Sequence, residues 1–277
     1  MGTSQSSGGP ASGVPLVPPW TPDPPGDGDD AGDLGPDADG ATESTPASPS
    51  PIAPAARFGG ARRGLGDFAR SGDTGALRRG LGRYVSKGYG GADTASRRFG
   101  GTAVTAGALS RTLARAAAGQ PSGTENPLDP NILAGRSANE VMDAVVNAVR
   151  PIDGTQDAEA SRTAIQDALS ELLTRYPDAD LLDLDAEQRA FAVERYTAAD
   201  VFRRIQLDLG KTIMDKAPSA AMALSRLKEV REYVREVVSA SFRRLRERGR
   251  SVTANRVGAV VRDALQTTFT VFEGYVE

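Results

Sequence analysis

The chain has 277 residues, a formal net charge of −3, and neither histidine nor cysteine. Those two absences exclude a Ser-His-Asp or Cys-His catalytic group, a thiolate or imidazole metal site and any disulfide. A metal site, if the chain had one, would have to consist of oxygen ligands. The near-neutral average charge hides three segments that differ strongly in composition.

The first segment, residues 1–56, is rich in proline and acidic residues. It contains 12 of the 18 prolines and eight carboxylates but no lysine or arginine. Such a composition buries too little apolar surface to offset the entropy of ordering, so we predict that this tail is disordered. Within residues 1–20, a PxxP pattern from Pro15 to Pro18 leads to Trp20, the only tryptophan. We interpret this part as a docking segment for a partner; the alternative is an incidental tryptophan in a proline-rich tail.

The second segment, residues 57–119, is basic and rich in glycine. Residues 57–115 hold 12 basic and three acidic side chains, a net charge of +9, and two motifs occur twice: residues 62–66 recur at 78–82, and 57–60 recur at 98–101. One interpretation is nucleic-acid binding, with phosphate contacts from Arg62, Arg63, Arg78 and Arg79. The other, which we favour, is that short helices over 77–85 and 103–117 dock through leucine and aromatic side chains.

After a linker at 120–136, the third segment, residues 137–277, has the composition of a folded domain. Ser137 with Glu140 forms a capping-box pattern, as does Asp185 with Gln188, and Gly249 follows a basic helix end. Apolar residues recur three and four apart, including an amphipathic surface helix with Val201 to Ile213 on its apolar face. We predict a mainly α protein: a C-terminal bundle of five or six helices after a partly helical Gly/Arg-rich segment and a disordered tail.

No catalytic constellation, cofactor motif or metal motif emerges from the sequence, so we expect a protein that is not an enzyme. Gly210-Lys211-Thr212 resembles the end of a phosphate-binding P-loop, but Ile205 occupies the position that requires glycine. Arg243 and Arg244 begin an arginine run that could contact nucleic acid, although cations also favour a helix C-terminus for local electrostatic reasons.

The sequence also indicates where in the cell the protein is located. It contains no run of 18 apolar residues, and its N-terminus has neither a basic region nor an apolar region of the secretory type. We therefore expect a soluble cytoplasmic protein that does not enter the membrane.

The most reactive group at neutral pH is expected at the N-terminus. Removal of Met1 before the small residue Gly2 exposes an α-amino group, whose ordinary pKa of about 7.7–8.0 leaves roughly a third of it neutral near pH 7.5. Gly2 with Ser6 also fits a myristoylation pattern, and an unmodified flexible end is the simplest alternative.

Three groups of motifs carry a family resemblance. The opening residues 1–20, the basic motifs at 79–85, 88–91 and 97–101, and the later motifs at 208–213, 215–219 and 224–227 resemble the QatB family, a component of bacterial Qat anti-phage defence systems. None of these motifs is catalytic, so the resemblance indicates a family without indicating a reaction.

The resemblance implies three partners: a P-loop ATPase (QatA), a QueC-like enzyme (QatC) and a TatD-like DNase (QatD). QueC-type enzymes use ATP to activate the carboxylate of a 7-deazaguanine for attack by an amine. We therefore expect Gly2 to be the acceptor of a deazaguanine from QatC, with the helical region binding other components. The residues expected to dock in that enzyme are Thr3, Ser4, Gly8, Gly9, Pro10, Pro18, Pro19 and Trp20. The competing hypothesis is a nucleic-acid-binding or nuclease-recruiting subunit that acts through residues 57–115.

Overall fold

A computed structural model describes residues 54–119, 135–250 and 256–276, together with the single residues Pro15, Val17, Leu128, Leu133 and Val252. The regular elements of this described part are helical, which confirms the mainly α prediction. They are α1 (Gly59–Ser71), α2 (Thr74–Arg83), a π-helical turn (Tyr84–Gly88), α3 (Ala92–Arg98), α4 (Gly100–Ala117), α5 (Ala138–Val149), α6 (Gln156–Arg175), α7 (Ala186–Lys216), α8 (Ala220–Glu247), α9 (Val257–Glu273) and a closing 3₁₀ turn (Gly274–Val276).

Local signals in the sequence set several helix ends. The Ser137 side chain accepts a hydrogen bond from the N–H of Glu140, and the Glu140 carboxylate accepts one from the N–H of Ser137. Asp185 and Gln188 form the same reciprocal pair at the start of α7. Gly249 adopts φ 77° after α8, the left-handed conformation that ends a helix most easily at glycine. The predicted caps are therefore confirmed.

The longest helix, α7, begins after the predicted Asp185 cap and includes the predicted amphipathic row from Val201 to Ile213. It runs unbroken for 31 residues, about 46 Å at 1.5 Å per residue. Residues 186–209 contain no glycine or proline to interrupt it. Residues 210–212 lie inside this helix, so the Gly-Lys-Thr sequence does not form the strand-to-helix turn of a P-loop.

A single hydrophobic cluster extends from Phe58 in the basic segment to Phe272 near the C-terminus. The central helix α7 packs against α1, α4, α6 and α8, while α9 packs against α2, α3, α4 and α8. Along α8 the buried row is Val230, Val234 and Val238, and Val237 is only partly buried.

The basic segment contributes directly to this cluster. Leu65, Leu81, Phe99 and Leu109 are each fully buried. The helical part of the segment thus packs through apolar side chains, as the docking interpretation predicted. The domain boundaries at residues 56, 119 and 136, which were drawn from composition, stay a prediction. None of the helices in the described ranges combines the length and the apolar character that crossing a bilayer requires.

Candidate functional site

The repeated motif at 62–66 and 78–82 forms a helix crossing. Gly64 of α1 faces Gly80 of α2 so closely that a β-carbon on Gly64 would lie 2.7 Å from the Gly80 Cα and 2.8 Å from its amide nitrogen. The two glycines are equivalent positions of the repeat, and the leucines that follow them, Leu65 and Leu81, are both fully buried. Glycine at these positions lets two backbones meet, so the repeat has a packing role.

The second repeated motif, at 57–60 and 98–101, places two phenylalanines around one tyrosine. Phe58 occupies the N-cap of α1 and Phe99 the N-cap of α4, with nearly identical backbone angles. Both rings meet Tyr89 edge-on, with centroids 5.7 Å and 5.8 Å from it. Gly88 makes room for this arrangement, since a β-carbon there would lie 2.6 Å from the Phe58 ring.

The aromatic group surrounds one carboxylate of the central helix. The Tyr84 hydroxyl donates to Asp208 Oδ2 at 2.8 Å, and the Tyr89 hydroxyl donates to the same oxygen at 3.1 Å. We call Phe58, Tyr84, Tyr89, Phe99 and Asp208 the tyrosine–aspartate cluster. It joins the basic segment to α7 through side chains that are more than a hundred residues apart in sequence.

Burial dominates the electrostatics of this cluster. Removal from water raises the pKa of the Asp208 carboxyl above its ordinary value, although the two tyrosine hydrogen bonds and Arg57 oppose that rise. Burial also raises the pKa of Tyr84 and of Tyr89, and the nearby Asp208 charge adds to both shifts. Both hydroxyls therefore stay protonated at neutral pH and act as hydrogen-bond donors rather than as bases or nucleophiles.

A second polar group lies two helical turns before Asp208 on α7. Thr102 Oγ1 donates to Asp200 Oδ2 at 2.5 Å, and Arg204 Nε lies 3.5 Å from the same oxygen. The Arg204 guanidinium also lies over the Phe99 ring, 5.2 Å from its centroid. Asp200, Arg204 and Asp208 are thus spaced four residues apart on one side of α7.

The sequence pattern does not predict this polar row. It predicts a surface helix whose apolar face runs from Val201 to Ile213 and whose other faces, with Arg204 and Asp208, meet solvent, but Asp200 is 1% exposed and the Arg204 side chain 17%. The helix is buried on more than one side because α1 and α4 cover what a surface helix would expose. The sequence signal for this row is the spacing of Asp200, Arg204 and Asp208, which lie four residues apart beside the apolar row.

These polar groups hold two parts of the chain together. No set of three or more carboxylates in the described part of the chain lies close enough to hold a metal ion. With two protonated tyrosines, a paired arginine and buried carboxylates, the arrangement fixes the basic segment against α7. The polar contacts therefore help to join the basic segment and the C-terminal helices into one packed unit.

The arginines predicted to contact nucleic acid do not form one patch. Arg78 Nε donates to the Tyr233 hydroxyl at 3.2 Å, and its guanidinium lies 5.8 Å from the Tyr233 and Tyr275 ring centroids. Arg79 pairs with Asp73 at 3.4 Å. Arg63 is exposed, whereas Arg62 is partly buried.

The other two predicted arginines, Arg243 and Arg244, are exposed in the last turns of α8. They lie ten or more residues beyond Tyr233 on that helix, about 15 Å along its axis. The structure therefore does not bring Arg243 and Arg244 together with the predicted arginines of the basic segment.

The predicted modification and docking residues lie outside the described residues: Gly2, Thr3, Ser4, Gly8, Gly9, Pro10, Pro18, Pro19 and Trp20. Two residues between them are described. Val17 is 9% exposed, and Pro15 is partly buried.

The chain matches the model of a known family over much of its length. The model of the QatB family, described as "Qat anti-phage system associated protein QatB", matches residues 90–272, about two thirds of the chain. That span includes Phe99, Asp200 and Asp208 and begins just after Tyr89. No curated protein and no solved structure matches the chain. The chain belongs to the QatB family and is thus a component of the Qat anti-phage system.

Proposed function

We propose that this chain is a non-catalytic substrate and scaffold of its Qat system, and that the amine of Gly2 accepts a 7-deazaguanine from the QueC-like partner QatC. The observation that carries the proposal is the Met1-Gly2 start in a QatB-family chain with no histidine or cysteine. Glycine has no β-carbon, so its amine can enter a narrow active site. An α-amino group also titrates nearer neutrality than a lysine does.

The proposed step is an amide-forming acyl transfer. ATP first activates the deazaguanine carboxylate on the enzyme. The neutral Gly2 nitrogen then attacks the activated carbonyl carbon, the carbon–nitrogen bond forms, and the activating group leaves with its bridging oxygen. The nitrogen loses a proton to become an amide. This chain supplies only the nucleophile, which fits a body whose tyrosines are fixed as protonated donors.

Two other roles belong to the same proposal. Residues 3–20, with Trp20 at their end, dock in QatC and present the amine. The helical region binds QatA or QatD. Its surface is available for such assembly because the proposed conjugation takes place at Gly2, at the other end of the chain. The buried position of Val17 supports a segment in which apolar side chains make specific contacts.

The nucleic-acid-binding alternative has less support from the contacts of the basic segment. Arg78 and Arg79 are already engaged by aromatic rings and by Asp73, and both repeats serve helix packing. Binding that falls steeply with salt and is lost on Arg63→Ser with Arg79→Ser would favour this alternative.

The experiment is co-expression with QatC followed by mass analysis of the N-terminal peptide. We expect a peptide that begins at Gly2 and carries the deazaguanine acyl group on its amine. Gly2→Leu, which retains Met1, should prevent the addition, and Gly59→Ala, at an open position of α1, should not. A free Gly2 amine in the presence of active QatC would overturn the proposal.

A further inference from the structure

A groove outside the tyrosine–aspartate cluster lies between the C-terminal end of α6, the first turns of α7 and the second half of α8. It has a volume of about 900 Å³, within the range of about 300–1,000 Å³ that small-molecule sites occupy. Its charged lining residues are Glu171, Arg175, Arg195, Arg235, Glu236 and Arg243.

The lining has an excess of positive charge. It contains four arginines against two glutamates. One of the glutamates, Glu171, lies 3.1 Å from Arg231, which is outside the lining, and 3.6 Å and 3.8 Å from the lining arginines Arg195 and Arg235, so the lining as a whole carries a net charge of +2. The groove therefore favours a ligand with more than one negative charge.

Two of the four guanidinium groups have no carboxylate partner in the part of the chain that the structure describes. Neither Arg175 nor Arg243 forms an ion pair with a residue of the described ranges, and Arg175 lies over the ring of Tyr176. The guanidinium fork matches phosphate oxygens in a bidentate manner. These two side chains are therefore available to hold an incoming anion.

A third arginine of the lining, Arg195, is held in place by neighbouring side chains. The Arg195 guanidinium lies 4.8 Å from the Phe191 ring centroid, and its NH1 donates to Ser239 Oγ at 3.4 Å. Its side chain is 20% exposed, and its buried Nε lies 3.6 Å from Glu171 Oε2 without a hydrogen bond to any described residue. An anion in the groove would offer that guanidinium an additional acceptor.

We propose that this groove binds a small polyphosphate anion, such as the triphosphate group of ATP, with Arg175 and Arg243 contacting the phosphate oxygens and Arg195 as a third cation of the lining. Phosphate groups also occur in a nucleic-acid backbone, but the arginines that follow Arg243 do not form a continuous track of unpaired cations. Arg246 pairs with Glu194 at 3.0 Å, and Arg250 pairs with Asp263. Arg175 and Arg243, which have no carboxylate partner in the described ranges, both line this one groove, which suits a small polyanion.

The test is calorimetric titration of the full-length protein with ATP in magnesium-free, low-salt buffer. We expect saturable binding that Arg175→Gln with Arg243→Gln weakens at least tenfold. Arg244→Gln, a neighbouring exposed arginine that does not line the groove, should leave the affinity unchanged. Ala240→Glu adds a carboxylate to the lining and should abolish binding. Circular dichroism verifies that each variant retains its helices.

Two further titrants distinguish the sources of phosphate. Inorganic phosphate should bind at least tenfold more weakly than ATP, and single-stranded DNA should not displace ATP. The inference is wrong if ATP does not bind, if Arg244→Gln weakens binding as much as the groove variants do, or if inorganic phosphate matches ATP. Displacement of ATP by DNA that is lost in the Arg175/Arg243 variant would assign the groove to a nucleic-acid backbone instead.

Discussion

Gly64 and Gly80, equivalent residues of a repeated motif, pack backbone against backbone where α1 crosses α2. A β-carbon at Gly64 would lie 2.7 Å from the Gly80 Cα, and one at Gly80 would lie 3.0–3.1 Å from Leu65. What composition alone presents as a flexible, basic stretch is therefore a tightly packed helix pair. The arginines that accompany the glycines lie around this contact.

Gly64→Ala should destabilise the protein. The added methyl group overlaps backbone atoms that cannot rotate away, and overpacking of this kind costs about 1–3 kcal/mol, more than the helix propensity gained by alanine offsets. Gly59→Ala is the matched control, since nothing lies within 4 Å of a β-carbon there. Urea unfolding measures both variants; equal free energies of unfolding for Gly64→Ala and the wild type would contradict the crossing.

Tyr84→Phe should destabilise the protein by about 1–3 kcal/mol. It removes the shorter of the two hydrogen bonds to Asp208 and leaves a buried carboxylate with fewer donors. Tyr176→Phe removes a hydroxyl bond to Glu187 at a partly exposed site and should cost less than about 0.5 kcal/mol. If chemical denaturation gives both variants the same loss, Tyr84 does not support the cluster.

Asp208 should make stability depend on pH. Its pKa is raised in the folded protein, so the folded chain holds the proton more tightly than the unfolded chain does. The free energy of unfolding contributed by this group therefore falls as the pH rises from the ordinary value of 3.8 through the raised value.

Asp208→Asn should remove this dependence. Across that interval the wild type loses stability relative to the variant, and above it the difference becomes constant. Denaturation curves at a series of pH values measure the difference. A wild-type stability that rises relative to the variant as the pH increases would show that the pKa of Asp208 is lowered instead.

Trp20→Ala should reduce the extent of Gly2 conjugation without changing the unfolding of the helical body. The proposed docking segment presents the amine, while the hydrophobic cluster consists of residues from Phe58 onward. Time courses of peptide modification together with thermal unfolding separate the two effects. Unchanged conjugation by the alanine variant would remove Trp20 from the docking segment.

The sequence predicted those features that depend on near neighbours. Both capping boxes, the glycine after α8 and the periodic apolar faces of the C-terminal helices follow from residues a few positions apart. The sequence also predicted that short helices of the basic segment dock through leucine and aromatic side chains, and Leu65, Leu81 and Phe99 are buried.

Long-range relationships could not be predicted in the same way. Nothing local indicates that Gly64 meets Gly80 or that Tyr84 reaches Asp208 across 124 positions. Charged residues along α7 follow the same spacing whether water or another helix covers them, so the sequence predicts an amphipathic surface helix with Arg204 and Asp208 away from its apolar face. The groove requires three helices from separate parts of the chain, and only their packing brings its arginines together.

Gly2 is the proposed site at which this protein is modified. The intact mass of the full-length chain tests this directly, when protein purified from cells that carry the complete Qat system is compared with protein from cells that lack only QatC. We expect loss of Met1 in both and, only with QatC, one added deazaguanine acyl group that Gly2→Leu eliminates. Identical masses with and without QatC, in cells that defend against phage, would contradict it.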